Sequence, residues 1–140
     1  MTRTTTAMMA LAGAAVLLAS VLATPATAAT VMLSAPLMTS PAARYVRVTI
    51  LNGGPAVTLT NGNFYATPAT SSTTPIPKSF DNCTVGPALA TGYICSLTIT
   101  LPSPTTTVWF SITATASANL RGALQILDIN NNTLAVSDLK

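Results

Sequence analysis

From Arg44 onward, apolar and polar residues alternate in short runs, and this alternation is the strongest signal in the chain. Val46, Val48 and Ile50 fall on one side, with Tyr45, Arg47 and Thr49 on the other. Successive side chains of an extended backbone point to opposite faces, so a period of two predicts a half-buried strand. The pattern returns at Tyr93, Cys95, Leu97, Ile99 and Leu101, against Ser96, Thr98 and Thr100. It returns again at Val108, Phe110, Ile112 and Ala114, which sets Trp109 on the opposite face. Asn52-Gly53-Gly54-Pro55 predicts a turn through residues that accept positive φ. Val57 and Leu59 then resume the apolar side, and Asn61-Gly62-Asn63 predicts a second turn before Phe64 and Tyr65. Residues 123–129 and 133–139 flank Asn130-Asn131-Asn132 as a closing hairpin. Val31 to Met38 predicts a first strand, weakened by Pro36. Ala66 to Lys78 holds three prolines and no alternation, which predicts an exposed, mobile loop. No stretch after residue 30 has sustained helical spacing with caps. About seven short strands between turn clusters predict an all-β fold, a β-sandwich filling residues 29–140 as a single domain.

The chain before that region reads differently. Arg3 is followed by an uncharged, mostly apolar run from Ala7 to Leu22, then Pro25 and the small residues Ala26-Thr27-Ala28. This is the layout of a secretory signal peptide over residues 1–28, and the run is at the short end for a membrane span. Cleavage after Ala28 places the mature chain outside the cytoplasm, secreted or periplasmic, with no membrane span. The alternative is retention of the run as an anchor.

Charge narrows the function further. The chain has six Lys and Arg, three Asp, and neither His nor Glu, so only 6% of it is charged. Polarity comes from Thr, Ser and Asn, which suit the solvent face of a sheet. So few cations leave no basic stripe, and no nucleic-acid partner is expected. A surface of hydroxyls with little net charge repels itself weakly and tolerates association. Catalysis loses most of its usual groups. A Ser-His-Asp triad is impossible without histidine, and paired-carboxylate chemistry would have to use Asp81, Asp128 and Asp138 alone. Lys78 beside Ser79 is a poor dyad in a loop. No enzyme activity and no cofactor are expected.

Four features remain. Cys83 and Cys95 are the two cysteines, both beyond the leader, and an isolated pair in an oxidising compartment predicts a disulfide. Asp128-x-Asn130-x-Asn132 copies the first half of a calcium loop, but Thr133 stands where the loop needs glycine and no late Glu follows. An Asn-rich hairpin turn explains the same residues, and no metal is expected. Asn82-Cys83-Thr84 and Asn131-Asn132-Thr133 match the N-glycosylation pattern by residue type alone, and the bacterial cast of the leader sets them aside. Trp109 is the sharpest surface clue: an exposed indole on the far face of its strand is a candidate contact anchor. The bland alternative is that the proline-rich loop covers that face.

Several of these stretches resemble a known group, the immunoglobulin-like modules of the abnormal-spindle/Hydin type found in bacterial surface and periplasmic proteins. The pieces are VTILNGGPAVTL (Val48 to Leu59), the G-x-F of Gly62-Asn63-Phe64 that closes that hairpin, and CTVGPALATGYICSLTITL (Cys83 to Leu101) with Leu89, Gly92 and Cys95 in an L-x-x-G-x-x-C arrangement. The resemblance spans about half of the region after the leader. It implies an immunoglobulin-like scaffold or interaction module and brings no catalytic residues.

The expected function is therefore a secreted, non-catalytic structural or protein-interaction module at the cell surface or in the periplasm, with a protein partner or self-association. The main alternative is a subunit of a fimbria-like polymer, in which Val31–Leu37 completes a neighbour's sheet by strand addition. A small secreted inhibitor or effector is a third class.

Overall fold

Alternation carries directly into strands in the computed structural model, which describes residues 29–67, 74–102, 107–115 and 119–140; the expected leader, residues 1–28, lies outside them. The strands are β1 (Ala29–Leu33), β2 (Leu37–Met38), β3 (Tyr45–Asn52), β4 (Leu59–Thr67), β5 (Phe80–Asp81), β6 (Ile94–Thr100), β7 (Thr107–Thr115), β8 (Leu120–Leu127) and β9 (Thr133–Asp138). Seven are of ordinary length, and β2 and β5 have two residues each. No helix occurs among the described residues, and none is long and apolar enough to cross a membrane.

The strands form two antiparallel sheets. One runs β5–β6–β3–β8–β9. In the other, β7 is central, with β4 along one edge and β1 and β2 end to end along the other. Val46, Val48 and Ile50 of β3, Leu97 and Ile99 of β6, and Leu124 and Ile126 of β8 share one core with Phe64 of β4 and Val108, Phe110, Ile112 and Ala114 of β7. Phe64 and Phe110 meet at its centre, with ring centroids 4.7 Å apart and planes tilted by 53°. Burying each large apolar side chain this fully contributes about 1.5–3 kcal/mol, which is what drives the two sheets together. The chain is a β-sandwich.

Local details depart from the sequence pattern for identifiable reasons. Asn61-Gly62-Asn63 is not a turn. The stretch lies inside β4 as a bulge, where the register against β7 shifts between Thr60 and Asn63. Asn61 supplies the positive φ, 54°. Gly62 allows close packing: a Cβ there would stand 2.8 Å from Leu97 Cδ2 and 3.1 Å from Thr84 Cγ2. The Gly62-Asn63-Phe64 motif therefore closes no hairpin. The Asn52–Pro55 turn is made without positive φ at Asn52, Gly53 or Gly54. The buried Asn52 side chain holds it instead. Its Nδ2 donates to Pro55 O and to Leu89 O, both at 2.8 Å, and its Oδ1 accepts from Gly54 N at 2.9 Å.

Tyr93 does not join the face of Cys95, Leu97 and Ile99; it precedes β6 and is 66% exposed. The predicted loop from Ala66 to Lys78 is shorter at both ends. Ala66 and Thr67 belong to β4, and Ile76 returns to donate its N–H to Phe64 O at 2.8 Å; residues 68–73 lie outside the description. Pro36 splits the first strand into β1 and β2 without removing it from the β7 edge.

Candidate interaction face

Alternation along β7 buries Val108, Phe110, Ile112 and Ala114 and turns Trp109 outward, between Thr107 and Ser111. On the neighbouring strand the bulge restores the phase, so Tyr65 points the same way and stands opposite Trp109 in the register. The two rings stack with centroids 5.7 Å apart and planes 18° from parallel. Trp109 is half-buried, with Tyr65 stacked along one side. A stacked aromatic pair presents a flat, rigid apolar surface with little side-chain entropy left to lose on contact.

The first two strands complete this face. Val31 lies across from Thr113, Leu33 from Ser111, and Met38 from Thr107. They are 54%, 52% and 80% exposed. Hydroxyls of β7 and β4 fill the remaining positions. Not one residue of β1, β2, β4 or β7 is charged. Every charged residue that lies on a strand, Arg47, Asp81, Arg121 and Asp138, belongs to the five-stranded sheet. The two outer surfaces thus differ in charge and in the stacked aromatic pair, while exposed apolar side chains occur on both, with Phe80, Ile94, Leu134 and Val136 on strands of the five-stranded sheet.

The cysteines lie at the five-stranded sheet, Cys95 on β6 and Cys83 just after β5. Cys83 and Cys95 are bonded, with Cα atoms 5.1 Å apart. Asp81 organises the approach to the bridge. Its Oδ1 accepts the N–H groups of Cys83 at 2.9 Å and Thr84 at 2.8 Å, while its Oδ2 pairs with Lys78 and the Thr84 hydroxyl. Partial burial pushes the Asp81 carboxyl up, but Lys78 and the Thr84 and Cys83 donors together outweigh it and hold the carboxyl below its ordinary value.

Asp128 works in the same manner at the β8–β9 turn. Its Oδ2 accepts from the Asn132 side chain at 2.9 Å, and its Oδ1 accepts the N–H groups of Asn132 and Asn130, both at 2.8 Å. The Asn132 contacts come first in lowering its carboxyl. Asn131 takes the positive φ of the turn, 63°. Residues that imitate half a calcium loop are thus spent on closing a hairpin. Among the described residues, no three His, Cys, Asp or Glu side chains cluster where they could hold a metal.

Trp109 could be found in the sequence because its strand alternates without interruption. Tyr65 as its stacking partner was hidden by the bulge, and Val31, Leu33 and Met38 were hidden because strand neighbours are not encoded locally. No family model, curated protein or solved structure matches the chain.

Proposed function

We propose that this chain is an exported, non-catalytic module that works by binding protein through the outer face of its four-stranded sheet. The observation that carries this reading is the composition of that face: a stacked Trp109–Tyr65 pair, three exposed aliphatic side chains and no charge. Aromatic anchors ringed by neutral polar groups, with charged residues excluded, are the make-up of an interface centre. The disulfide suits an oxidising compartment, and the leader-like residues 1–28 supply a route to it. The short motifs similar to abnormal-spindle/Hydin modules fit the same role.

A photo-crosslinking amino acid at Ser111 tests the reading in cells that express and export the chain. Adducts with protein are expected from Ser111 and not from the control position Thr98, on the outer face of the other sheet. Adducts from Thr98 alone, or from neither position, would sink the proposal. Edman sequencing of the exported chain checks the leader: the expected first residue is Ala29, and an N-terminus at Met1 would overturn export by cleavage.

A further inference from the structure

We propose that residues 29–38 are an exchangeable strand, and that the partner they bind is a second copy of this chain. The proposal rests on the reading of the chain as a protein-binding module and names what it binds.

Backbone groups, rather than side chains, hold the segment in place. Of its ten residues, Met32 and Ser34 are buried and Leu37 is half-buried, while the other seven are exposed. Five register pairs along β1 and two along β2 tie it to β7. Ser34 N–H donates to Phe110 O at 3.0 Å, and Ser34 Oγ accepts from Phe110 N–H at 2.9 Å. Leu33 and Lys140 exchange both of their backbone bonds, at 2.8 and 2.9 Å. Lifting the segment therefore takes little from the core. It does leave the main chain of β7 unpaired above the buried Phe110 and Ile112, a seat that main-chain groups cannot leave empty without cost.

The strand that best refills that seat is one with Met32 and Ser34 at the same spacing, which is the same segment from another copy. The exchanged strand makes the same contacts as the original, so the two arrangements differ only in the connection and in the entropy of association. That connection is a short hinge, the kind that favours exchange over a relaxed closed form. Residues 39–44 join β2 to β3 and reach about 20 Å when extended. In the closed form they fold back through a turn with Ala43 N–H on Ser40 O at 3.0 Å. Pro41 takes the second position of that turn, where its fixed φ favours the fold-back and stiffens the hinge. Neither the segment nor the sheet that receives it is charged, so two copies meet without repulsion.

A paired-cysteine variant of the full, exported chain reads the exchange directly. Because Ser34 and Phe110 form a hydrogen-bonded pair, Val31 and Thr113 form a non-hydrogen-bonded one, in which side chains lie closest. V31C together with T113C places two thiols within disulfide reach, separate from the existing bridge. The protein is held across a range of concentrations, oxidised, and run on non-reducing gels. Cross-chain dimers or ladders are expected, with a dimer-to-monomer ratio that rises about tenfold per tenfold increase in protein while monomer predominates, as mass action requires. Inserting Gly-Gly-Ser after Ser40 relaxes the closed form and is expected to lower the cross-chain fraction several-fold. Bonds formed only within single chains at every concentration would overturn the exchange, as would a cross-chain fraction unmoved by the insertion. If exchange fails while Ser111 still yields adducts, the binding face stands and its partner is another protein; if both fail, the module reading falls as well.

Discussion

Replacing Asn52 with aspartate changes one atom type and should unfold much of the chain's margin of stability. The Asn52 side chain makes three hydrogen bonds from a site with no solvent access, joining the end of β3 to the following turn and to Leu89 in the disulfide loop. Asn52→Ala strands Gly54 N–H in the interior and releases two carbonyls that water can partly reach. A buried group left unsatisfied costs about 1–3 kcal/mol, and the two carbonyls add less, so the expected total is about 2–4 kcal/mol. Asn52→Asp keeps the bond from Gly54 but turns two attractive contacts into a carboxylate facing the Pro55 and Leu89 oxygens. The charged form is penalised by burial and by those oxygens, so the folded-state pKa of the new carboxyl rises above its unfolded value. Stability is then highest below the unfolded value, about 3.9, and is lost as pH rises through the folded value. Urea unfolding followed by the fluorescence of Trp109, the chain's single tryptophan, reads this at pH 7 and pH 4. The penalty of Asn52→Asp should exceed that of Asn52→Ala at pH 7 and shrink at pH 4. An aspartate variant within about 0.5 kcal/mol of the parent at pH 7 would refute the assignment of Asn52 as the pin of this corner.

Other outcomes follow from the same contacts. Cys95→Ser should destabilise by about 2–5 kcal/mol, the usual range for a bridge in a small secreted domain, and mass spectrometry of the exported chain should find no free thiol. Gly62→Val should cost about 1–3 kcal/mol in chemical unfolding, because the added carbon presses on Leu97 and Thr84 beneath the bulge. The parent protein should show the opposite pH trend to Asn52→Asp: the carboxyls of Asp81 and Asp128 are lowered on folding, so their contribution is complete above the ordinary carboxylate value and is lost as pH falls through the folded values. A urea midpoint that stays level down to pH 3 would contradict this. A double-mutant cycle on Tyr65→Ala and Trp109→Ala should return a coupling of about 0.5–1.5 kcal/mol, and iodide should quench Trp109 only in part; a fully shielded indole would place it in the core.

Much of this molecule was legible in its sequence, because strand alternation is a local property. Val46–Ile50, Cys95–Ile99 and Val108–Ala114 each announce a strand and its buried side without reference to anything else, since the pleat alone sets the period. The two-sheet architecture and the Cys83–Cys95 bridge follow from how many such strands there are and from one cysteine pair. What needed the tertiary structure was every feature set by a neighbour distant in the chain. Asn61-Gly62-Asn63 has the composition of a turn, and the space between Leu97 and Thr84 makes it a bulge. Asn52 has the composition of a turn residue, and Leu89, far along the chain, makes it a buried pin. Trp109 was placed on the correct side by its own strand, yet the stack with Tyr65 and the exposed aliphatics beside it depend on which strands flank β7. Strand order is fixed by packing two apolar faces against each other and by closing the main-chain ladder of β7, and no window of local sequence holds either quantity.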